Sequence, residues 1–385
     1  MTEATKVSIF GSTGSIGLQA IDVVKASKGR LSIYGLSANS SLEALSSQIA
    51  QHSPEVVVVG SGQMATEVKS RFANLRVEVG QEGLYSVAGE ADVALNAVVG
   101  FAGLTVTLGA IAGQKTIALA NKESLVAGGP LVRQKLVESK SVIVPVDSEH
   151  AAIHQCLRSG RSSEVHRLIL TSSGGPFRSY SPKELEDVTV EEALNHPTWK
   201  MGPKITIDSS TLMNKALEVI EAHELFNVTP SQIDVVVHPE SIVHSMVEFV
   251  DGSQIAQISR PDMRLPIAYA LNYPERLPPI FGGLDYAGGL TLHFEEQRRS
   301  IFKALDFAYM ALELGDGAPT WLNAANEVAV DAFLNRKIKW LDIYRVIEGS
   351  FESFEKWTFS EFESVLSLDE LARRRASEIV ASVEI

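Results

Sequence analysis

Residues 6–17 read KVSIFGSTGSIG, and this stretch decides the fold of the amino-terminal part of the chain. A short apolar run leads into Gly11, Gly14 and Gly17, and the segment LQAIDVVKA that follows is typical of a helix. Glycines at this spacing permit a tight turn and bring the backbone close to a pyrophosphate, which the helix N-terminus attracts. The order strand, glycine loop, helix therefore predicts a dinucleotide-binding unit, with a plain tight turn as the alternative.

Alternating β-rich and helical segments continue to about residue 150. The β-rich runs are KVSIF, LSIYGL, EVVVV, VALNAVV, KTIALA and SVIVPV. They predict an α/β fold in which residues 1–150 form a Rossmann-like parallel sheet with helices on both faces. We expect a central α+β catalytic domain over 151–275, a linker rich in proline and glycine over 276–289, and a carboxy-terminal helical bundle over 290–385.

The composition argues against several classes of protein. A formal charge of −13 over 385 residues disfavours a general nucleic-acid or anionic-membrane surface. The single cysteine, Cys156, permits no intrachain disulfide, and the start MTEATKVSIF lacks the apolar core of a signal peptide. Residues 93–113 carry no charge and are long enough to span a bilayer, but their four glycines favour a strand, a turn and a helix. We expect a cytoplasmic protein with no membrane or nucleic-acid partner.

The end of the second predicted strand bears on the choice of cofactor. NAD-specific sites usually carry an acidic residue there, whereas this chain has Ala38, Asn39 and Ser40. Small neutral side chains would tolerate a 2′-phosphate, so NADP is favoured over NAD, although no lysine or arginine is present to bind that phosphate.

The stretch VDSEH at 146–150 indicates a metal or acid/base site. It follows the run SVIVPV, so Asp147 and Glu149 are expected on one side of an extended chain just past a strand. Two neighbouring carboxylates are costly unless a cation or a shared proton relieves them. In open α/β sheets the ends of such strands face the ligand.

The segment 208–226, DSSTLMNKALEVIEAHELF, begins with residue types typical of an N-cap and is predicted to continue as an amphipathic helix. Asn214, Lys215 and Glu218 would share one side of it, and Glu221 shares that side roughly as well. Spacing does not choose between the two glutamates, and an exposed salt-bridged face is the alternative. If Asp147, Glu149 and one of these glutamates converge, the all-oxygen site suits Mg²⁺ or Mn²⁺.

Three further segments offer polar groups to a ligand. Asn121-Lys122-Glu123-Ser124 follows the run KTIALA, where Lys122 would hold an oxyanion and Glu123 would contact the cofactor or merely begin a helix. Residues 172–176, SSGGP, form a turn of hydroxyls and glycine amides that suits a phosphate. Residues 195–204, NHPTWKMGPK, are predicted to be a loop whose Trp199 covers the site or anchors the loop on the core.

Taken together, these segments resemble the 1-deoxy-D-xylulose 5-phosphate reductoisomerase family of isoprenoid biosynthesis. The matching blocks occur in the family's order over residues 11–330: GSTGSIG, ALANKESLV, PVDSEH, SSGGPF, HPTWKMG, DSSTLMNKALEVIEA, HPESIVHSM, PDMRLPIAYAL and LNAANEVAV. The resemblance implies rearrangement of the phosphorylated sugar to an aldehyde, which NADPH reduces to 2-C-methyl-D-erythritol 4-phosphate. It also implies a homodimer that uses Mg²⁺ or Mn²⁺, with Co²⁺ as a further candidate.

The resemblance also implies a role for individual residues. It assigns the metal to Asp147, Glu149 and Glu218, so that Glu221 becomes structural. It assigns substrate contacts to Lys122, Ser148, Glu149, Ser173, His196, Ser209, Asn214, Lys215 and Glu218. It assigns NADPH contacts to Thr13, Gly14, Ser15, Ile16, Asn121, Glu123 and Gly202, with the ribose phosphate at Ala38, Asn39 and Ser40. Some family members have a lysine where this chain has Asn39.

Two competing functions share parts of this pattern. A simple metal-assisted NAD(P)-dependent dehydrogenase would use the same glycine loop without isomerising its substrate. A catalytically inactive NADPH sensor would need neither the three acids nor Lys122 and Lys215.

Overall fold

The computed structural model describes residues 3–196, 201–279, 281–359 and 361–383, which fall into two compact units. The first unit comprises Met1–Ser124, Val132–His154 and Asp262–Leu284. The second comprises Leu125–Leu131, Gln155–Pro261 and Asp285–Ile385. The domain boundaries expected near residues 150, 275 and 290 stay a prediction.

The first unit contains a parallel sheet built from short, mostly apolar segments. Its seven strands are β1 (Thr5–Phe10), β2 (Leu31–Ala38), β3 (Val56–Val59), β4 (Arg76–Val79), β5 (Val93–Asn96), β6 (Thr116–Leu119) and β7 (Val142–Pro145). They lie in the order β4-β3-β2-β1-β5-β6-β7, and every neighbouring pair is parallel. The chain order reverses between β1 and β5, so these two strands mark the switch point where open α/β sheets bind ligands.

A helix follows each of these strands. The helices are α1 (Ser15–Ala26), α2 (Leu42–His52), α3 (Gly62–Arg71), α4 (Gly80–Ala88), α5 (Gly103–Ala112), α6 (Glu123–Val137) and α7 (Ser148–Cys156). Val7, Ile9, Val57, Leu95 and Val144 are completely buried, as expected for strands covered on both faces. The predicted Rossmann-like fold is confirmed.

The uncharged segment 93–113 forms β5 and α5, separated by a glycine-containing turn, as predicted. Within the described ranges, no helix is both long and apolar enough to cross a membrane.

The second unit contains a mixed sheet next to a series of helices. Its strands are β8 (Val165–Ser172), β9 (Ile233–Val237), β10 (Val243–Phe249) and β11 (Gln254–Ile258), in the order β11-β10-β8-β9. The remaining helices of the chain are α8 (Val190–Leu194), α9 (Pro203–Ser210), α10 (Met213–Phe226), α11 (Arg264–Asn272), α12 (Ala304–Leu314), α13 (Ala318–Leu334), α14 (Asp342–Phe351) and α15 (Phe362–Val383). Of these, α11 belongs to the first unit. The predicted helical carboxy-terminal segment is confirmed.

The amphipathic helix predicted within 208–226 is present from Met213, but the N-cap expected at its start is wrong. Asp208–Ser210 form the last turn of α9, which begins at Pro203, and α10 begins only at Met213. Leu212 connects the two helices with a left-handed backbone, at φ 60°. The residues Asp208 and Ser209 resemble an N-cap in sequence, but here they end one helix and lead into a corner.

Candidate functional site

The glycine loop lies at the switch point of the first unit, and its conformation leaves no room for a Cβ at two of its glycines. Gly11 has φ 81°, and a Cβ there would lie 2.5 Å from the carbonyl oxygen of Ala97, just past β5. A Cβ on Gly17 would lie 2.3 Å from the Gly11 carbonyl oxygen. The Gly14 N–H donates to that same carbonyl at 3.1 Å and closes the turn. The predicted turn and the close approach of α1 are therefore both present.

The N-terminus of α1 is open to a ligand. Gly14 is its N-cap and offers no side-chain cap, and the first turn contains no acidic residue. Gly14 and Ser15 are exposed, whereas Thr13 and Ile16 are half-buried. Backbone N–H groups and the positive helix end are therefore available to a phosphate.

The end of β2 places Asn39 over the end of β3. Ala38 is buried, and Asn39 and Ser40 are exposed. A Cβ on Gly60 would lie 2.2 Å from Asn39 Oδ1, so the glycine at 60 leaves room for the amide. This edge of the sheet carries a neutral side chain where an NAD-specific site usually carries an acid.

Asn121 holds together the loops that follow β5 and β6. Its amide nitrogen donates to the carbonyls of Val98 and Gly100, each at 2.9 Å, and to Glu123 at 2.8 Å. Its Oδ1 accepts the N–H of Ser124 at 2.8 Å. The side chain is buried and joins the two loops, and its predicted cofactor contact stays a prediction.

Asp147 caps α7, which corrects the extended geometry expected for residues 146–150. Its Oδ1 accepts the N–H groups of Glu149 at 3.1 Å and His150 at 3.2 Å. Ser148 and Glu149 therefore lie in the first helical turn, because an aspartate at this position nucleates the helix. One oxygen of Asp147 and one of Glu149 nevertheless lie within 4.8 Å of each other. The two carboxylates converge through capping and not through strand alternation.

Hydrogen-bond donors already surround these two carboxylates. Lys122 forms an ion pair with Asp147 Oδ2, and Ser148 donates to Glu149. Both partners of the ion pair are largely shielded from solvent. Behind them the buried ring of His150 lies with its Nδ1 at 3.4 Å from Asp147 Oδ1. The predicted residues Lys122, Asp147, Ser148 and Glu149 thus form one polar cluster in the first unit.

In the second unit, the turn after β8 meets the carboxyl end of α9. Gly174 and Gly175 have φ of 82° and 70°, and a Cβ on Gly175 would lie 2.6 Å from the Ser209 carbonyl oxygen. Ser173 Oγ accepts the Gly175 N–H at 3.3 Å and lies 3.3 Å from His196 Nε2. Burial lowers the pKa of His196, so the ring is neutral at pH 7.

Three polar residues of α10 form a second cluster in this unit. Asn214 Nδ2 donates to Glu218 Oε1 at 2.6 Å, and Lys215 forms an ion pair with Glu218 Oε2. Lys215 is 3% and Glu218 0% exposed, so the alternative of an exposed salt-bridged face is wrong. Glu221 is 1% exposed, and burial does not distinguish it from Glu218.

Two of the predicted residues lie in or near the gap between the described residues 196 and 201. Trp199, predicted to cover the site or to anchor its loop on the core, lies outside the described residues. Gly202 is exposed and is the N-cap of α9.

Two residues were not predicted from the sequence, Asn326 and Trp340, which hydrogen-bond to Asp208 and Ser210 next to the proposed substrate residue Ser209. Asn326 could have been noticed because it is a polar residue within the largely apolar run LNAANEVAV. Trp340 carries no comparable local signal.

Family models match most of the chain. The model described as 1-deoxy-D-xylulose 5-phosphate reductoisomerase matches residues 7–129, and the model of that enzyme's C-terminal domain matches residues 143–226. A further model, described as the DXP reductoisomerase C-terminal domain, matches residues 258–375.

Individual members of this enzyme family are similar to the chain along nearly their whole length. The chain is 46% identical to the 1-deoxy-D-xylulose 5-phosphate reductoisomerase of Protochlamydia amoebophila, covering 96% of this chain and 97% of the relative. It is 50% identical to that of Chlorobium chlorochromatii, covering 96% and 98%. A crystal structure of DOX-P reductoisomerase with NADPH, fosmidomycin and magnesium superposes with a TM-score of 0.93 at 37% identity, covering 98% of each chain. The Zymomonas mobilis enzyme with NADPH gives 0.92 at 38% identity, covering 98% of this chain and all of the other.

Proposed function

The chain belongs to the 1-deoxy-D-xylulose 5-phosphate reductoisomerase family, and we propose that the side-chain clusters of its two units perform that family's reaction. The chain is an NADPH-dependent, divalent-metal-dependent oxidoreductase that converts 1-deoxy-D-xylulose 5-phosphate to 2-C-methyl-D-erythritol 4-phosphate. The observation that carries the assignment of residues is the cluster of Lys122, Asp147, Ser148 and Glu149 at the ligand-binding edge of the sheet.

The described residues fit NADPH. The close packing of Gly11 and Gly17 and the uncapped N-terminus of α1 make a pyrophosphate site. Thr13, Gly14, Ser15 and Ile16 would bind the pyrophosphate, and Ala38, Asn39 and Ser40 would lie at the ribose phosphate. Asn121, Glu123 and Gly202 would complete the cofactor contacts.

The donor set also fits a hard divalent cation. Asp147, Glu149 and Glu218 would supply carboxylate oxygens, the ligands that Mg²⁺ and Mn²⁺ prefer. Lys122 and Lys215 now neutralise Asp147 and Glu218. A divalent cation would take over that role, and both ammonium groups would turn to the anionic substrate.

When bound, the metal supplies a Lewis acid for the substrate's carbonyl and hydroxyl oxygens and NADPH supplies the hydride. Lys122 and Ser148 would orient those oxygens, and Glu149 and Glu218 would also contact the substrate. Ser173, His196, Ser209, Asn214 and Lys215 would hold the phosphate and its neighbouring hydroxyls. Neutral His196 presents Nε2 towards Ser173 and would share a phosphate oxygen with it.

Product analysis tests this assignment against its rivals. Purified protein is incubated with 1-deoxy-D-xylulose 5-phosphate, NADPH and Mn²⁺, absorbance at the reduced nicotinamide band is followed, and the carbon skeleton is determined by NMR. The branched product is expected. An unbranched reduced product would establish the simple dehydrogenase, and absence of NADPH oxidation would establish the sensor.

We also propose a homodimer. The edge strand β11 exposes its free side, with Ile255 37% and Ile258 41% exposed. Exposed apolar residues on a sheet edge favour pairing with a second chain. Light scattering coupled to size-exclusion chromatography should give twice the chain mass, and Ile255→Lys should lower it. A wild-type mass of a single chain would exclude the dimer.

We also propose that the protein resides in a reducing compartment, the cytoplasm. Cys156 is buried, and burial raises the pKa of its thiol to about 11, so it stays protonated and unreactive at neutral pH. Cell fractionation tests this assignment, and recovery with the membrane or exported fraction would contradict it.

A further inference from the structure

The corner between α9 and α10 contains a backbone conformation that is unfavourable unless surrounding contacts stabilise it. Leu212 has a backbone φ of 60°, which residues with a Cβ rarely adopt. This conformation persists only where surrounding contacts enforce it. Ser209 lies just before this corner, and Asn214 and Lys215 lie just after it. The proposed phosphate contacts therefore depend on the shape of the four intervening residues, 210–213.

Three side chains from the carboxy-terminal segment hold this corner. Asn326 Nδ2, on α13, donates to Asp208 Oδ1 at 2.8 Å, and Trp340 Nε1 donates to Ser210 Oγ at 2.9 Å. The hydroxyl of Tyr344, on α14, donates to the carbonyl of Thr211 at 2.8 Å. All three donors lie more than 115 residues further along the chain, and all three bonds are buried.

Charge is balanced at the first of these contacts. Asp208 is buried, and its Oδ2 receives the ammonium of Lys204 at 2.8 Å. Asn326 therefore binds a carboxylate that is already neutralised, which makes the contact a stable anchor for the end of α9.

Trp340 also contacts the segment next to the Ser173–Pro176 turn. This turn and the α9–α10 corner together carry the proposed phosphate contacts and are called the phosphate cradle. The Trp340 ring lies edge-on to Phe177, with ring centroids 5.6 Å apart and an interplanar angle of 87°. Phe177 follows the Ser173–Pro176 turn, whose Gly175 packs on the Ser209 carbonyl. One fully buried indole thus holds the turn through its ring and the corner through its N–H.

We propose that Trp340, Tyr344 and Asn326 are positioning residues for substrate phosphate, acting through the Ser173 turn and the α9–α10 corner. This rests on the proposed assignment of Ser173, Ser209, Asn214 and Lys215 to that phosphate. Binding energy gained at a remote phosphate supports the chemical step, so a displaced cradle lowers kcat/KM for the substrate.

The chain provides a matched control for each of two variants. Trp340→Phe keeps an aromatic ring but removes the N–H, and Trp321→Phe does the same to a buried tryptophan that donates to Ser350 Oγ at 3.1 Å. Tyr344→Phe removes a hydroxyl that donates to a backbone carbonyl, and Tyr309→Phe does the same at the carbonyl of Ile233, at 2.8 Å. Neither control contact involves the turn or the corner.

The test measures KM for 1-deoxy-D-xylulose 5-phosphate and for NADPH in each variant. We expect Trp340→Phe and Tyr344→Phe to raise KM for the substrate about five- to tenfold, the effect of one lost hydrogen bond, with KM for NADPH changed less than twofold. Both controls should leave both KM values within about twofold, even if they lower the melting temperature equally. Equal substrate KM values in variants and controls would overturn the proposal.

A double-mutant cycle with Ser209→Ala shows whether Trp340 acts through the cradle. If it does, Trp340→Phe should raise the substrate KM less in the Ser209→Ala background than in the wild type. Full additivity would overturn the positioning role. If Ser209→Ala alone leaves the substrate KM unchanged, both the phosphate assignment and the positioning role are overturned. If Ser209→Ala raises it and Trp340→Phe does not, only the positioning role is.

Discussion

Asp147 both caps α7 and carries a charge that Lys122 balances, and two substitutions separate these roles. Asn caps a helix about as well as Asp, whereas Ala loses about 1 kcal/mol of capping stabilisation. We expect Asp147→Asn and Asp147→Ala to lose metal-dependent turnover to the same extent. In urea unfolding, the Ala variant should be less stable than the Asn variant by about 1 kcal/mol. Equal stability would show that the cap contributes nothing.

Glu218 and Glu221 allow a direct comparison of two buried glutamates on α10, which are 0% and 1% exposed. Glu218→Gln removes one proposed metal ligand, and loss of a few kcal/mol of Lewis-acid stabilisation lowers kcat roughly 1000-fold. The dissociation constant of NADPH, measured by nicotinamide fluorescence, should change little. Glu221→Gln is the matched control and should keep most of the activity. The reverse pattern would assign the metal to Glu221.

His196 should make stability depend on pH in a defined direction. Burial lowers its folded-state pKa below the usual value of 6.5, so the unfolded chain binds this proton more readily. The resulting stabilisation is complete above pH 6.5 and is lost as the pH falls through the folded-state pKa. Between pH 7.5 and 5.5 the melting temperature of the wild type should therefore fall further than that of His196→Asn. An identical fall in both proteins would contradict the effect of burial.

The end of β2 is expected to decide between NADPH and NADH. Asn39 is exposed there, and Asn39→Asp would place a negative charge against the 2′-phosphate. We expect the ratio of kcat/KM for NADPH to that for NADH to fall roughly 100-fold. Asn74→Asp adds the same charge to an exposed residue between α3 and β4, at the opposite edge of the sheet, and should leave the ratio unchanged. Equal effects of the two substitutions would place the 2′-phosphate elsewhere.

Elements with a continuous local pattern could be predicted from the sequence, and those fixed by distant contacts could not. The glycine loop, α1 and the apolar strands were predicted because each pattern is complete within about twenty residues. The strand β4, RVEV, was missed because Arg76 and Glu78, which pair with each other, alternate with only two valines. The α9–α10 corner was missed because Leu212 resembles an ordinary helical residue. Its backbone is held by Trp340 and Tyr344, far along the chain.

The structure brings several of the predicted site residues together, although their geometry was not always foreseen. Asn214, Lys215 and Glu218 do share one side of a helix, as the spacing predicted. Asp147 and Glu149 also converge, but through an N-cap, because one-residue changes in where a helix begins cannot be read from the run SVIVPV.

The proposed cofactor contacts and the proposed phosphate contacts fall in different units. The NADPH residues belong to the first unit apart from Gly202, and Ser173, His196, Ser209, Asn214 and Lys215 all belong to the second. Each ligand should therefore protect its own set of backbone amides from hydrogen exchange. Segments that must open to release a ligand exchange more slowly by the factor 1 + [L]/Kd.

Hydrogen exchange with NADPH present tests this separation. At 100 times its dissociation constant, NADPH should slow exchange of amides in residues 11–26 by up to about 100-fold, with little change in residues 322–334. Gly17→Ala should abolish that protection, because its Cβ would lie 2.3 Å from the Gly11 carbonyl oxygen. Gly62→Ala is the matched control: it also lies in the first turn of a helix of the same unit, and apart from its chain neighbours and its own helix backbone no atom lies within 4 Å of its Cβ. Because an added methyl group there meets no other part of the unit, protection by NADPH in Gly62→Ala should equal that of the wild type. Protection retained in Gly17→Ala would show that the glycine loop does not bind the cofactor.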